Sequence, residues 1–182
     1  MRLQIDIGFG DAVTPRAELS DFPTLLDFKA PRLRVYPRET VVAEKLEAIV
    51  QLGMANSRMK DFYDLMILSR TFEFDGALLV SAIRATFKNR ATELPPQLPV
   101  GLTATFAGDA SKREQWLAFL RKSNGERLGG LEEVIAAVVR FAEEPLRAAA
   151  QARVLVVRWS PGRGWLPIAQ PDREVESDRE KS

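Results

Sequence analysis

The sequence contains neither cysteine nor histidine. Without cysteine the chain has no disulfides, thiolate metal sites or cysteine nucleophiles, which fits a reducing cytoplasm. Without histidine it has no Ser-His-Asp or Cys-His catalysis and no histidine-ligated zinc. Carboxylates, lysines, hydroxyls and oxygen-ligated ions such as magnesium are therefore the chemical tools that remain.

Long apolar runs and a charge imbalance are also missing. No apolar run approaches the roughly 18 residues that span a bilayer, and the N-terminus does not have the pattern of a signal peptide. The 26 basic and 25 acidic residues give a net charge of +1, so the overall charge does not indicate binding to nucleic acid or membrane. We expect a cytoplasmic protein with no membrane partner, built as one domain plus a tail.

Two strands are predicted at the front of the chain. The stretch "LQIDIGFGD", Leu3 to Asp11, alternates apolar and polar residues and places Asp6 alone among carboxylates on its polar face. The stretch "RLRVYP", Arg32 to Pro37, alternates two apolar residues with arginines and ends at its proline. Two prolines break Gly10 to Ala30, which is predicted to be an irregular connection.

Five helices are predicted behind these strands. The first two repeat apolar residues every three or four positions, the spacing of one helix face. The predicted ranges are Glu39–Leu52, Arg58–Arg70, Asp75–Arg90, Ala110–Lys122 and Leu131–Ala142. The segment Ala152–Ile168 is β-like by propensity, or else an extended segment packed over the helices. Gln170–Ser182 has almost no apolar residues and is predicted to be a disordered tail.

The predicted fold class is therefore α+β, with two strands followed by a mainly α-helical region. We divide the chain into a front part (1–70), a helical region (71–150), an extended segment (151–169) and a tail (170–182). Two strands alone are marginally stable in water. Either the helices cover them, or further strands are missing.

Lys45, in "VVAEKLEAI", borders the buried face of the first predicted helix. One interpretation is a lysine whose stem covers the core and whose ammonium reaches water. The other is a phosphate ligand, because a point charge on a flexible stem can reach the oxygens of a nucleotide.

Two further places carry polar groups that a core does not need. Asp6 is the first, and a solvated surface residue is the usual interpretation of a lone aspartate on a half-buried strand. The second is "RMKDFYDL", where Asp61 and Asp64 share one helix side, with Lys60 beside them. Surface ion pairing explains that pattern, as does an interaction of Asp61 with the helix dipole.

The three stretches "LQIDIGFGD", "VYPRETVVAEKLEAI" and "SRMKDFYDLMIL" together resemble the C-terminal part of the AbiEii/AbiGii toxin family, the abortive-infection nucleotidyltransferases. The family pattern runs from a strand with an acidic residue, through a tyrosine-proline and an A-E-K-L helix, to a K-D-x-x-D-L helix. All three pieces occur here in that order, between Arg2 and Arg70.

This resemblance implies a nucleotidyltransferase fold of the polymerase-β type, with residues 1–70 as the C-terminal part of its core. In that fold carboxylates hold magnesium ions on a nucleoside triphosphate, and two metals about 3.5–4 Å apart stabilise the attacking and leaving oxygens. By position, Asp6 matches a carboxylate that assists metal binding or accepts a proton. Lys45 matches the lysine that contacts nucleotide phosphates, and Asp61 the acidic residue of the later helix. Lys60 and Asp64 are further candidates for substrate binding.

The family's glycine-rich turn and D-x-D strand match nothing in this sequence. The resemblance therefore implies a member whose N-terminal half is missing, through a mis-assigned start codon or a truncated gene, and we expect this chain alone to be inactive. It also implies an NTP substrate, RNA or tRNA as acceptor, and a separately encoded antitoxin. The alternatives are a non-catalytic helical interaction module that binds an antitoxin or another partner, and an unrelated helical domain.

Overall fold

Helices make up most of the chain in the computed structural model, which describes residues 12–24, 27–123 and 129–168. The helices are α1 (Arg38–Leu52), α2 (Met59–Thr71), α3 (Gly76–Asn89), α4 (Ala104–Gly108), α5 (Ala110–Ser123) and α6 (Leu131–Ala150). The strands are β1 (Glu18–Asp21), β2 (Arg32–Val35), β3 (Phe74–Asp75), β4 (Val157–Ser160) and β5 (Gly164–Pro167). They form two small antiparallel sheets, β1-β2 and β3-β4-β5, so the α+β class is confirmed.

The five predicted helices are confirmed as α1, α2, α3, α5 and α6, and the first four of these end within one residue of the prediction. The short helix α4 was not predicted. The prediction for the last helix stopped at Ala142, whereas α6 continues to Ala150.

The continuation of α6 passes through Pro145. Proline has no N–H, so it cannot donate to the carbonyl four residues earlier, that of Phe141. The indole Nε1 of Trp165, on β5, donates to this carbonyl instead at 3.0 Å. The helix was predicted too short because the group that completes its hydrogen bonding comes from a distant part of the sequence.

The β1-β2 hairpin corrects the prediction of an irregular connection from Gly10 to Ala30. β1 pairs antiparallel with β2, and Glu18 lies opposite Val35. β1 has no periodic apolar pattern, and its strand conformation depends on hydrogen bonds to β2, which the local sequence does not reveal. The predicted strand over Arg32–Pro37 is confirmed as β2, whereas the one over Leu3–Asp11 lies outside the described residues.

The segment predicted as β-like contains the hairpin of β4 and β5, and β3 pairs with its first strand. It also packs on the helices, since the rings of Trp159 and Trp165 lie 5.0 and 6.0 Å from that of Phe141 on α6. Both interpretations of this segment therefore hold. The predicted tail lies beyond the described residues, and the division at residues 70 and 150 stays a prediction.

One apolar core joins the helices to the three-stranded sheet. Its largest fully buried side chains are Phe62, Phe74, Phe87, Phe106, Trp116 and Phe141. The side chains of α1 and α2 meet in this core, which places the polar residues at the edge of their shared face beside one another. Among the described residues no helix is both long and apolar enough to cross a bilayer.

Candidate functional site

Lys45 on α1 contacts both aspartates of α2. Its Nζ donates to Asp61 Oδ1 at 2.9 Å and to Asp64 Oδ2 at 2.8 Å. The two carboxylates are three residues apart and so lie on one side of α2, where a single ammonium reaches both. We call these three residues the Lys45 cluster. Lys45 borders the buried face as predicted, but the expectation that its ammonium simply reaches water is wrong.

The Lys45 cluster is buried at its centre and exposed at its rim. Only 5% of the Asp61 side chain and 16% of the Lys45 side chain are accessible. Two exposed cations close the rim: Arg58 Nε lies 2.7 Å from Asp61 Oδ2, and Lys60 Nζ lies 2.5 Å from Asp64 Oδ2. Three cations therefore face two carboxylates, and the group carries one net positive charge that favours an anionic ligand.

Asp61 keeps an open acceptor position. Its Oδ2 is buried and accepts no hydrogen bond, because the N–H of Arg58 is close but not aligned with it. A buried oxygen without a hydrogen bond costs free energy, so such atoms are rare outside functional sites. Asp61 lies in the first turn of α2, as the dipole interpretation requires, but its burial sets it apart from a surface ion pair.

The charge of Lys45 is secured by its partners. Burial alone lowers the pKa of Lys45, but the hydrogen bonds to Asp64 and Asp61 and the charges of both carboxylates outweigh it, so the pKa is raised above its ordinary value. Lys45 therefore stays protonated at neutral pH. An ammonium carries three N–H donors, of which the aspartates take two and leave one for a ligand.

The turn between α1 and α2 determines that Lys45 faces Asp61. Gly53 ends α1 with φ of 50°, a conformation that favours glycine. The side chain of Asn56 accepts from the Arg58 N–H at 2.8 Å, and the buried Lys112 Nζ donates to the Asn56 carbonyl at 3.0 Å. The sequence analysis missed both Asn56 and Lys112, since neither belongs to a motif.

A cleft of about 470 Å³ opens beside the Lys45 cluster. It is lined by Asp61, by the cations Arg58, Lys60 and Lys122, and by Gln115, whose buried Oε1 has no hydrogen-bond partner. The cleft therefore combines positive charge with two unpaired buried oxygens. This arrangement suits a ligand that brings both anionic groups and hydrogen-bond donors, as a nucleotide does.

A metal site is not formed by the described residues. Nowhere in 12–24, 27–123 and 129–168 do three or more acidic side chains gather as metal ligands would. Asp61 and Asp64 are already paired with cations, so they do not fit a resident magnesium by themselves. Asp6, the predicted metal ligand, lies outside the described residues, whereas Lys45, Lys60, Asp61 and Asp64 come together.

Comparison with known proteins gave one match. The family model described as "Nucleotidyl transferase AbiEii toxin, Type IV TA system" matches residues 1–153. No curated protein and no solved structure matched the chain. The matched range contains the whole Lys45 cluster and leaves the β4-β5 hairpin outside it.

Proposed function

Because the chain belongs to the AbiEii family of nucleotidyltransferase toxins, from type IV toxin-antitoxin systems, we propose that the Lys45 cluster is part of its nucleotide-transfer site. The observation that carries this proposal is the shared ammonium of Lys45, held by two aspartates beside a cation-lined cleft. Ordinary surface ion pairs need neither this burial nor an unpaired carboxylate oxygen.

In the proposed site each residue has a separate task. Lys45 donates its remaining N–H to a phosphate oxygen of the NTP and stabilises the negative charge that grows there during transfer. Asp61 and Asp64 hold the ammonium in place and keep it charged. Lys60 and Arg58, on the exposed rim, attract the triphosphate and neutralise part of its charge.

Nucleotidyltransferase families generally use divalent metals, and we propose that magnesium accompanies the NTP here. The described residues do not supply its ligands, so we assign no step of the reaction to a metal. Asp6 remains our proposed metal ligand. The sequence has no D-x-D strand with a preceding glycine turn, so we propose that this polypeptide alone does not complete the transfer.

The proposed acceptor is RNA, including tRNA, and the proposed regulator is a cognate antitoxin. Both substrates of such a transfer, NTP and RNA, are cytoplasmic molecules, which places the proposed activity in the cytoplasm. A label-transfer assay with the 182-residue chain, NTP, RNA and magnesium tests the inactivity directly. We expect no transfer, and labelled RNA would overturn that part of the proposal.

Nucleotide binding tests the role of Lys45 without requiring turnover. An NTP titration followed by NMR should shift backbone signals around Lys45 and Asp61 in the native chain. In K45M these shifts should be lost while the spectrum stays that of a folded protein. The matched control is K88M, which removes an exposed lysine from α3. Equal shifts in K45M and the native chain would contradict the proposal.

A second candidate function is a non-catalytic interaction module, and one observation favours it. The β1-β2 hairpin and the chain around it expose large apolar side chains, among them Leu19, Phe22 and Phe28. Exposed apolar groups in one region are typical of protein-binding surfaces. An antitoxin that binds the chain, and whose binding L19S/F22S abolishes without altering NTP shifts, would support this function beside the first.

A further inference from the structure

A second cationic site lies at the other end of α2. A cleft of about 400 Å³ opens where the end of α2, one side of α6 and the turn between β4 and β5 meet. Its lining includes Arg70 on α2, Arg140 on α6 and Arg163 in the turn, together with Trp159 and Trp165. We call it the arginine cleft.

The charges in the arginine cleft are not balanced by the protein. No acidic residue lines the cleft. Within the described part of the chain, the side chains of Arg70, Arg140 and Arg163 make no ion pair or hydrogen bond. Six other arginines pair with carboxylates: Arg58, Arg90, Arg113, Arg147, Arg153 and Arg158. Three unpaired guanidinium groups around one cleft repel one another, and bound anions would remove that repulsion.

The walls of the arginine cleft are held by two indole hydrogen bonds. Trp159 Nε1 donates to the Ser69 carbonyl, in the last turn of α2, at 2.6 Å. Trp165 Nε1 donates to the Phe141 carbonyl on α6 at 3.0 Å. Since both carbonyls lack a helical donor, the hairpin is anchored where each helix needs it. Arg163, in the turn that follows β4, is thereby held between α2 and α6.

The arginine cleft is separate from the Lys45 cluster. Arg70 follows Asp61 by nine residues, which corresponds to about 14 Å along α2 and about two and a half turns around it. The two residues therefore lie on opposite sides of the helix. One nucleotide at the Lys45 cluster does not fill both sites, whereas a polymer with a phosphate in every unit can.

We propose that the arginine cleft binds backbone phosphates of a single-stranded RNA, and that it thereby holds the acceptor strand on the enzyme. Guanidinium groups bind phosphate through two parallel hydrogen bonds, and they carry no preference for base sequence. The assignment of the strand as acceptor rests on the proposed function. The binding of RNA phosphates does not, since it concerns residues outside the Lys45 cluster.

The test is a binding assay on the whole chain with a fluorescently labelled single-stranded RNA, without NTP or magnesium. The variant R70Q/R140Q/R163Q should bind RNA on the order of tenfold or more weakly, because three phosphate contacts are lost. The slope of log K against log salt should fall in magnitude by about 2, from roughly 0.7 per contact on a single strand. All three arginines are exposed, so the variant should fold.

The matched control is R16Q/R34Q/R121Q, which removes the same charge from exposed arginines outside the cleft. It should bind RNA within about twofold of the native chain. If the two triple variants lose affinity equally, the effect is overall charge and the cleft proposal is wrong. As a check on folding, R70K/R140K/R163K keeps the charge and should retain most of the salt slope.

Free phosphate compounds are the competing source of anions. In competition, inorganic phosphate or NTP should displace the RNA only at concentrations far above that of the RNA. If either binds the cleft as well as RNA does, the site is for a small anion and the RNA proposal is overturned. The NTP titration of K45M concerns a different site and a different ligand. A failure there and a failure here are therefore distinguishable.

Discussion

The ammonium of Lys45 lies 2.9 Å from the carboxylate of Asp61, although sixteen residues separate them and they belong to different helices. This ion pair is largely shielded from water, whereas the pair of Lys60 with Asp64 is exposed at its lysine. Neighbouring pairs on the same helix therefore differ in burial and should differ in their response to substitution.

K45M should destabilise the protein by about 1–3 kcal/mol, because it leaves the buried Asp61 without its hydrogen-bonded cation. The measurement is urea unfolding at neutral pH. K60M, which removes the exposed partner of Asp64, is the control and should cost less than about 0.5 kcal/mol. Equal losses in the two variants would mean that the Lys45 pair contributes no more than a surface contact.

The contribution of Lys45 should also depend on pH. Its pKa in the folded protein is raised above the ordinary value of 10.5 by Asp64 and Asp61. A raised folded pKa gives stability that is fully present below 10.5 and is lost as the pH rises through the folded value. The difference in unfolding free energy between native protein and K45M should thus be constant from pH 7 to pH 9 and shrink above 10.5. A difference that grows in that range would contradict the assignment.

Trp165 and Pro145 should be energetically coupled. W165F removes the indole N–H that donates to the Phe141 carbonyl and should cost about 1 kcal/mol or more. In a P145A background the backbone N–H of residue 145 can donate to the same carbonyl, so W165F should cost less there. A double-mutant cycle by thermal unfolding measures this coupling. Additive costs would show that the indole does not replace the missing backbone bond.

Gly76 should tolerate no side chain. A Cβ at this position would lie 2.7 Å from the carbonyl oxygens of Leu155 and Val157, in the segment that leads into β4. G76A should therefore push that segment away from α3 and cost about 1–3 kcal/mol. G108A is the matched control, since a Cβ there meets nothing within 4 Å. It should leave the stability within about 1 kcal/mol of the native value. Similar stabilities for the two variants would refute the close approach.

Much of the fold was predictable because helices depend on nearby residues. The four helices α1, α2, α3 and α5 ended within one residue of their predicted bounds, since their apolar spacing and flanking residues are local signals. The residues of the Lys45 cluster were also identified in advance, because Lys45, Asp61 and Asp64 stand in short motifs. Their mutual contact was not predicted.

The remaining features depend on contacts between distant residues. β1 is a strand because β2 lies beside it, and α6 passes Pro145 because Trp165 completes its hydrogen bonding. The arginine cleft gathers Arg70, Arg140 and Arg163 from three parts of the chain, and no motif joins them.

The sequence by itself thus determined the family, the main helices and, through its lack of cysteine and histidine, a chemistry of carboxylates, lysines and arginines. The tertiary structure alone decided which charges meet. It placed Lys45 between two aspartates and left the arginines of the cleft without partners. The reason is physical: backbone hydrogen bonds in a helix join residues four apart, whereas the partner of a side chain depends on how whole helices pack.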